Sequence, residues 1–459
     1  MSRSSGPSLA LRIAKACKPN TIIKALSGAA VVWAFLPEDD SVATSIHQAF
    51  REETWTEGGW PQTVVLWTGF AFWFPAVLLL VARGTINCGA RVKQSTGLSL
   101  TQQVLQQLRL ALRYAVAPPW YYMFELHDEG RRRRALEYLY RFETKAGLYD
   151  LLRHYLSSAE TSNALSDKAE FALRCRRHAV SAISALATVD ASGITRFDGG
   201  PEGELPRRDL FLKPVRGAGG RGAERWLWRG DGTWQDPDGA SLDEPGLSSY
   251  LRELGAKMPY VVRAFVRNHP EVAELSPGAL STVRVVTCLD QAGRAEVTHA
   301  VLRMARDESV IVDNFHAGGL ASPVNIATGV LGQASDMGLR SDSSWHDVHP
   351  ATHARITGRR LPMWPEVVDL VCRAHQAFGD QCAIGWDVAI LDDGPSLVEG
   401  NKSPDLDIIQ RIYREPLGNS RFGELFLHHV GRALDIKHGL APAAAAASGT
   451  GTRTPGEPQ

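Results

Sequence analysis

GWDVAILDDGPSLVEGNKSP, Gly385 to Pro404, is the stretch whose reading decides the fold. Ile384 to Leu391 is apolar and β-branched, Asp392, Asp393, Gly394 and Pro395 form a turn cluster, and Leu397 to Glu399 resumes a strand pattern. The segment therefore reads as a β-hairpin. Glu399 and Asn401 are two residues apart and share one face of their strand. Asp387 joins them if the connecting loop holds three or five residues, because an odd loop pairs position 387 with 399 or 401. Two carboxylates and an amide oxygen then converge, a sparse set that suits Mg²⁺ when water and phosphate oxygens complete its shell. Without its neighbours the same stretch also fits a surface hairpin with scattered acids.

Upstream, the chain supplies segments that suit a nucleotide. Asp209 to Pro214 reads as a strand running into VRGAGGRGAERW, where Gly217, Gly219, Gly220 and Gly222 make a flexible loop before the next strand, Glu224 to Arg229. Backbone N–H groups of such a loop can wrap phosphate oxygens, and Lys213 at its mouth adds a point charge. No GK[ST] ends the loop and a strand follows, so it is not a Walker motif, and a ligand-free glycine hairpin fits it too. Tyr260 to Val266 reads as a strand with backbone groups open to an adenine edge. Thr282 to Leu289 and Glu296 to Met304 alternate around a hairpin signal at Gln291 to Arg294. With Ala292 and Gly293 as the turn residues, Arg284 and Arg303 share a face suited to carboxylate or phosphate. In VDNFHAGG, Val312 to Gly319, Asn314 and His316 precede a glycine pair that permits close backbone approach. Pro365 opens a helix running through Phe378.

The first third is different in character. Thr63 to Ala82 is a twenty-residue run without charge, long enough to cross a bilayer. A weaker apolar run, Ala25 to Pro37, precedes it. Arg3, Arg12, Lys15 and Lys18 lie before the pair and Arg83, Arg91 and Lys93 after it, whereas Glu38, Asp39, Asp40, Glu52, Glu53 and Glu57 fill the loop. The positive-inside rule makes this a transmembrane helical hairpin with both ends cytoplasmic. Pro75 and the shortness of the first run also fit a buried helical pair, while a cleaved signal peptide fits poorly. From Ser99 to about Ala185 apolar residues recur at helical spacing, broken at Pro118 and Pro119. Within that block Asp167 is placed to cap a helix with Lys168 in its first turn. After Gly193 short strands, turns and isolated helices read as α+β. The tail from Leu440 is low in complexity.

Composition narrows the classes. Lys plus Arg equals Asp plus Glu, 50 against 50, so no net field recruits nucleic acid. The run Arg131 to Arg134 reads as a solvated helix end, with anionic headgroups as the other candidate partner. Six cysteines at 17, 88, 175, 288, 372 and 382 form no CxxC pair, and the fourteen histidines form no HExxH pattern. Reduced thiols in a cytoplasmic compartment and the absence of a zinc motif follow.

Taken in order, Lys168, the strand carrying Lys213 with its glycine loop, and the hairpin of Asp387, Glu399 and Asn401 resemble the ATP-grasp superfamily. The segments TVRVVT, VDNFHAGG, HPATH, GWDVAI and GPSLVEGNKSPD resemble its sugar-transfer-associated family, over roughly Lys168 to Arg411. The metal hairpin is also similar to that of the ribosomal-protein glutamate ligases, which place Asp and then Glu-x-Asn-x-x-Pro. The resemblance implies that Lys168 and Lys213 hold ATP phosphates, that the loop from Gly217 to Gly222 closes over them, and that Asp387, Glu399 and Asn401 bind two Mg²⁺ ions. Asn314 falls among the nucleotide-binding residues on the same basis. Many superfamily members carry an acid where Arg263 stands, so the adenine hinge is assigned to Ala264, Phe265 and Val266, and the ribose to Glu271 or Glu274.

The expected architecture is an ATP-grasp domain over 161–435, preceded by a membrane hairpin over 1–95 and a helical connection over 96–160, and followed by a disordered tail over 436–459. The expected function is an ADP-forming carboxylate ligase at the inner, cytoplasmic membrane with its catalytic domain facing the cytoplasm, acting on a small-molecule or glycan-linked carboxylate and acceptor in surface polysaccharide modification. In it Arg284 and Arg303 offset charge at the transferring phosphoryl group. A sugar or polyol phosphotransferase using the same ATP site, and a membrane-tethered nucleotide-binding module without chemistry, are the alternatives.

Overall fold

Two antiparallel seven-stranded sheets carry the strand-rich part of the chain. The computed structural model describes residues 18–442 except 38, 57–58, 200–203, 217–221, 277 and 308–314. Gly217, Gly219, Gly220, Asn314 and most of the tail thus lie outside the described residues. The first sheet takes β1 (Ala185–Asp190), β2 (Gly193–Arg196), β3 (Leu210–Pro214), β4 (Glu224–Trp228), β5 (Thr233–Gln235), β6 (Ser241–Asp243) and β7 (Tyr260–Ala264), in the order β2-β1-β7-β3-β4-β5-β6. The second takes β8 (Thr282–Leu289), β9 (Ala295–Met304), β10 (Leu320–Pro323), β11 (Ala334–Ser335), β12 (Trp345–His346), β13 (Ala383–Leu391) and β14 (Gly394–Asn401), in the order β12-β11-β10-β9-β8-β13-β14. The labelled helices are α1 (Pro19–Leu26), α2 (Val42–Thr56), α3 (Gly59–Thr96), α4 (Leu100–Tyr114), α5 (Lys168–Arg177), α6 (Glu244–Lys257), α7 (Trp364–Ala377), α8 (Leu406–Tyr413) and α9 (Arg421–Lys437). Local chemistry sets several of their starts. Ser99 and Gln102 close a capping box on α4, the Asp167 carboxylate accepts the first free N–H groups of α5, and Pro365 sits in the first turn of α7.

The two faces of the second sheet have different fates. One buries Val283, Val285, Ile384, Trp386 and Val388 against Val367, Leu370 and Val371 of α7. On the other, Val286, Cys288, Val301 and Ala383 pack into a core shared with α8, α9 and the N-terminal helices. The rest of that second face is polar and carries Arg284, Arg303, Asp387, Glu399 and Asn401. The first sheet packs Leu210, Leu212, Val262 and Trp234 against Leu247 and Leu251 of α6. Between the sheets the chain is stitched twice. Ile183 N donates to Leu397 O at 2.8 Å and His269 N to Ile390 O at 2.8 Å, just before the chain enters the first sheet and just after it leaves.

The first apolar run is core and does not form a spanning helix. Gly28, at φ 72°, breaks it, because only glycine takes that left-handed conformation without strain. Beyond the break, Trp33 is 2 % exposed and packs on Phe50 and Phe142, with its Nε1 donating to Tyr114 O at 2.8 Å. The acidic segment expected as a loop across the membrane is largely helix α2, docked on α9. Glu53 pairs with Lys437, and Ala43 N donates to Asn419 Oδ1 at 2.9 Å. A loop on the far side of a bilayer cannot make those contacts, so the hairpin gives way to a helical body continuous with the C-terminal helices. One described helix, α3, remains long and apolar enough to cross a membrane.

Candidate active site

The hairpin β13–β14 turns on two residues, Asp392 and Asp393, with Leu391 opposite Gly394. An even loop alone would set Asp387 against Val398. A β-bulge between the Val388–Leu397 and Asp387–Glu399 pairs inserts Val398 as an extra residue and brings Glu399 opposite Asp387. Hairpin β8–β9 shows the converse arrangement. Leu289 pairs with Ala295 and Asp290 N donates to Arg294 O, so its turn has three residues rather than the two expected. A bulge at Thr298 then returns Arg284 to Val301 and Thr282 to Arg303. In both hairpins the expected face is reached through a bulge, and Arg284, Arg303, Asp387, Glu399 and Asn401 share it.

On that face Asp387 is clamped. Its Oδ1 accepts from Arg284 Nε and its Oδ2 from Arg303 at 2.8 Å, with the carboxylate 3 % exposed. Burial pushes this acid up, but the two guanidinium groups outweigh it and hold the carboxyl down at about 2. Asp387 is thus ionised at neutral pH and neutralises part of the arginine charge. Arg303 is held in turn by Thr282, whose Oγ1 accepts from its Nε at 3.1 Å.

The lysines approach from the other side. Lys168, in the first turn of α5, places Nζ 3.3 Å from Val215 O at the end of β3. Burial lowers its pKa, the Glu399 carboxylate opposes that shift, and Lys213 adds to it. Lys168 is therefore within electrostatic reach of both Glu399 and Lys213. Arg263, the residue that departs from the superfamily pattern, ties the parts together. It is 3 % exposed, donates to Val398 O at 2.8 Å and to Lys168 O at 3.1 Å, and leaves its Nε without a partner. The carbonyl it takes belongs to the bulge residue that sets Glu399 in register.

A cleft of about 480 Å³ opens between the sheets, lined by Phe211, Lys213, Ala264, Phe265, Val266 and Val398 among others. All three hinge residues border it. Glu271 does not line it; that side chain is exposed on a short helix, Pro270–Ala273, and Glu274 pairs with Arg359 at 2.8 Å. Gly222, the one described glycine of the loop, has φ 71° and lies close to Tyr260 and Pro214 at the end of β3. The Arg131–Arg134 run is satisfied internally, with Arg131 on Glu125, Arg132 on the carbonyls of Leu126 and His127, Arg133 on Glu129, and Arg134 on Glu137 and Glu415.

One cluster escaped the sequence reading. Asp405 caps α8 and accepts from Arg141 and Lys145 at 2.8 Å and from His316 at 3.2 Å on a single oxygen. Burial raises its pKa, but His316, Lys145 and Arg141 together hold it well below the usual carboxylate range. Burial and the Asp405 charge push the neighbouring Asp407 up. Arg141 and Lys145 lie more than 250 residues before Asp405, so no local pattern links them. The Ser-Pro-Asp that follows Lys402 was the only local sign.

Mg²⁺ fits the donor set. Asp387, Glu399 and Asn401 offer only hard oxygen ligands on one face, and Asn401 Nδ2 lies 3.5 Å from Glu399 Oε1. Among the described residues no three His, Cys, Asp or Glu side chains group closely enough to hold an ion.

A family model described as sugar-transfer associated ATP-grasp matches residues 151–422. Comparison with curated protein sequences yields no match. Among solved structures, the L-amino acid ligase from Bacillus licheniformis aligns with 63% of this chain and 53% of its own, at 14% identity and a TM-score of 0.36. A D-alanine–D-alanine ligase from Bacillus anthracis aligns with 62% of this chain and 72% of its own, at 11% identity and 0.35. Biotin carboxylase from Campylobacter jejuni aligns with 60% and 47%, at 13% identity and 0.35. The chain spans about half the length of the first of these.

Proposed function

The chain belongs to the sugar-transfer associated ATP-grasp family, and from that premise we propose that it is an ATP- and Mg²⁺-dependent ligase that activates a carboxylate as an acyl phosphate for transfer to an amine or hydroxyl. The observation that carries this reading is the single polar face of Arg284, Arg303, Asp387, Glu399 and Asn401, with Lys168 within electrostatic reach of both Glu399 and Lys213. The Ala264–Val266 backbone and Val398, which line the cleft, would hold the base of ATP, and Lys168 and Lys213 would take its phosphates. When bound, the metal neutralises charge on the β- and γ-phosphate oxygens.

The carboxylate oxygen attacks the γ-phosphorus, the bond from that phosphorus to the β,γ-bridging oxygen breaks, and ADP leaves with the electron pair. An amine or hydroxyl then attacks the carbonyl carbon, the bond to the phosphate oxygen breaks, phosphate departs, and the acceptor proton passes to water. Asp387 keeps Arg284 and Arg303 side by side, and their positive charge offsets that of the incoming carboxylate or the transferring phosphoryl group. Lys168 and Lys213 offset charge on the nucleotide. The described end of the glycine loop, Gly222, beside the mouth of β3, suits a lid that keeps water from the acyl phosphate.

The protein acts at the cytoplasmic face of the inner membrane in surface glycan modification; the family description and the apolar helix α3 support that placement. Product analysis tests the chemistry. Purified protein, offered ATP, Mg²⁺ and a panel of cell-wall and capsule precursors, yields ADP, and hydroxylamine traps a hydroxamate of the true donor. AMP with pyrophosphate, or a stable phospho-sugar without hydroxamate, contradicts the ligase reading.

A further inference from the structure

We propose that the protein beds the α3–α4 face in the plane of an anionic membrane leaflet, and that α3 does not cross the bilayer. This deepens the membrane location proposed above and is independent of the ligase chemistry. Helix α3 has 38 residues and, at 1.5 Å per residue, is about 57 Å long, roughly twice the thickness of a hydrocarbon core. Its buried residues, Leu66, Trp73, Val77, Val81, Cys88 and Val92, form one stripe at spacings of four and seven, so the same side faces the protein along nearly the whole helix. Near the start Leu66 packs with Ala25 and Ala30, and Trp73 fills the space beside Gly28. Near the end Arg91 donates to Gly338 O at 2.8 Å. A helix held at both ends by one folded body cannot stand upright in a bilayer that excludes that body.

The uncovered surface is largely apolar. Trp67, Phe74 and Leu78, each one residue on from a buried position, flank the buried stripe, and Phe72, Leu79 and Ile86, exposed at 62%, 74% and 80%, lie on the side away from it. On α4, Leu105 and Leu112 are exposed at the same helical face as Arg109. Charge decides between occupants. Residues 58–124 contain no Asp or Glu, yet hold Arg83, Arg91, Lys93, Arg109 and Arg113. All of these cations except Arg91 are exposed. A second copy meeting this face across a two-fold axis would bring like charges together. Anionic headgroups complement it, with arginine and lysine stems lying along the apolar surface and their charged ends at phosphate level.

Flotation of the full chain with vesicles tests the surface. Binding is expected to vesicles of equal parts phosphatidylglycerol and phosphatidylcholine, and much less to phosphatidylcholine alone. Arg83→Gln with Arg109→Gln should lower partitioning onto the anionic vesicles about 25-fold, about fivefold per cation, and Leu79→Glu with Ile86→Glu should abolish it. ATP turnover should be unchanged in both variants, which separates failure of this proposal from failure of the ligase reading. In cells, cysteines from Asp39→Cys, ahead of α3, and Gln94→Cys, in its last turn, should react with an impermeant maleimide from the cytoplasmic side only. Reaction from opposite sides would overturn the proposal in favour of a span. Equal binding to both vesicle types, or a dimer that ignores both and dissociates with Leu79→Glu, would overturn it as well.

Discussion

The two walls of the cleft are made of opposite materials, and the contrast assigns them different work. The first sheet offers Phe211, Ala264, Phe265 and Val266, an apolar surface with backbone groups at its edge and two cations, Lys213 and Arg263. The second contributes Val398 to the lining and carries, on one face, a carboxylate held between two arginines with a second carboxylate and an amide. An apolar wall gains most from burying a flat base, which is affinity; a wall of fixed charges acts where charge moves, which is rate. Arg263 joins the walls, since it grows from β7 of the first and holds the bulge carbonyl of β14 in the second.

The largest effect is expected at Asp387. Asp387→Ala leaves Arg284 and Arg303 buried together without a counter-ion, so unfolding free energy should fall by about 3 kcal/mol or more, with turnover lost; urea denaturation and an ADP assay measure both. Its titration also has a sign. The folded pKa, about 2, lies below the ordinary 3.8, so the carboxylate stabilises the fold above roughly pH 4, and this contribution of about 2 kcal/mol is lost as pH falls toward 2. Asp387→Asn should therefore flatten the acid limb of the stability curve.

Arg263→Met comes next, because it removes the donor to the bulge carbonyl of Val398, at a cost of about 1–3 kcal/mol, and the tie to Lys168 O. As the link between walls it should raise KM for ATP and lower kcat together. A change in stability alone, with both constants intact, would mean that the walls work separately. Lys213→Ala should weaken nucleotide binding about tenfold, about 1.4 kcal/mol, by calorimetry with Mg²⁺ present, and slow the chemical step less. Arg133→Ala, on the internally paired run, should leave stability and turnover at wild-type values.

Alternation made the polar face of the second sheet legible, because a strand with one buried and one charged side announces its period. The turns were not legible. Asp392-Asp393 and Gln291-Ala292-Gly293 each differ by one residue from the expected loop, and Val398 and Thr298, which compensate, are ordinary strand residues with no mark of a bulge. The two apolar runs failed for another reason. Hydropathy reports only that a segment avoids water, so Trp33 in a protein core and Leu79 on an open surface read alike. Arg263 stood out as a departure, yet its partners lie 95 and 135 residues away.

The proposed division of labour between the walls stands or falls on Glu399, which lies within electrostatic reach of Lys168 and shares its face with Asp387. Glu399→Gln keeps the shape of the side chain and removes its charge. Calorimetric ATP affinity and steady-state ADP formation, measured on the same preparation with Mg²⁺, should show turnover down by roughly 100-fold or more, with nucleotide Kd within about threefold of wild type, less than 1 kcal/mol. Loss of affinity matching the loss of turnover, or turnover that survives, would contradict the account.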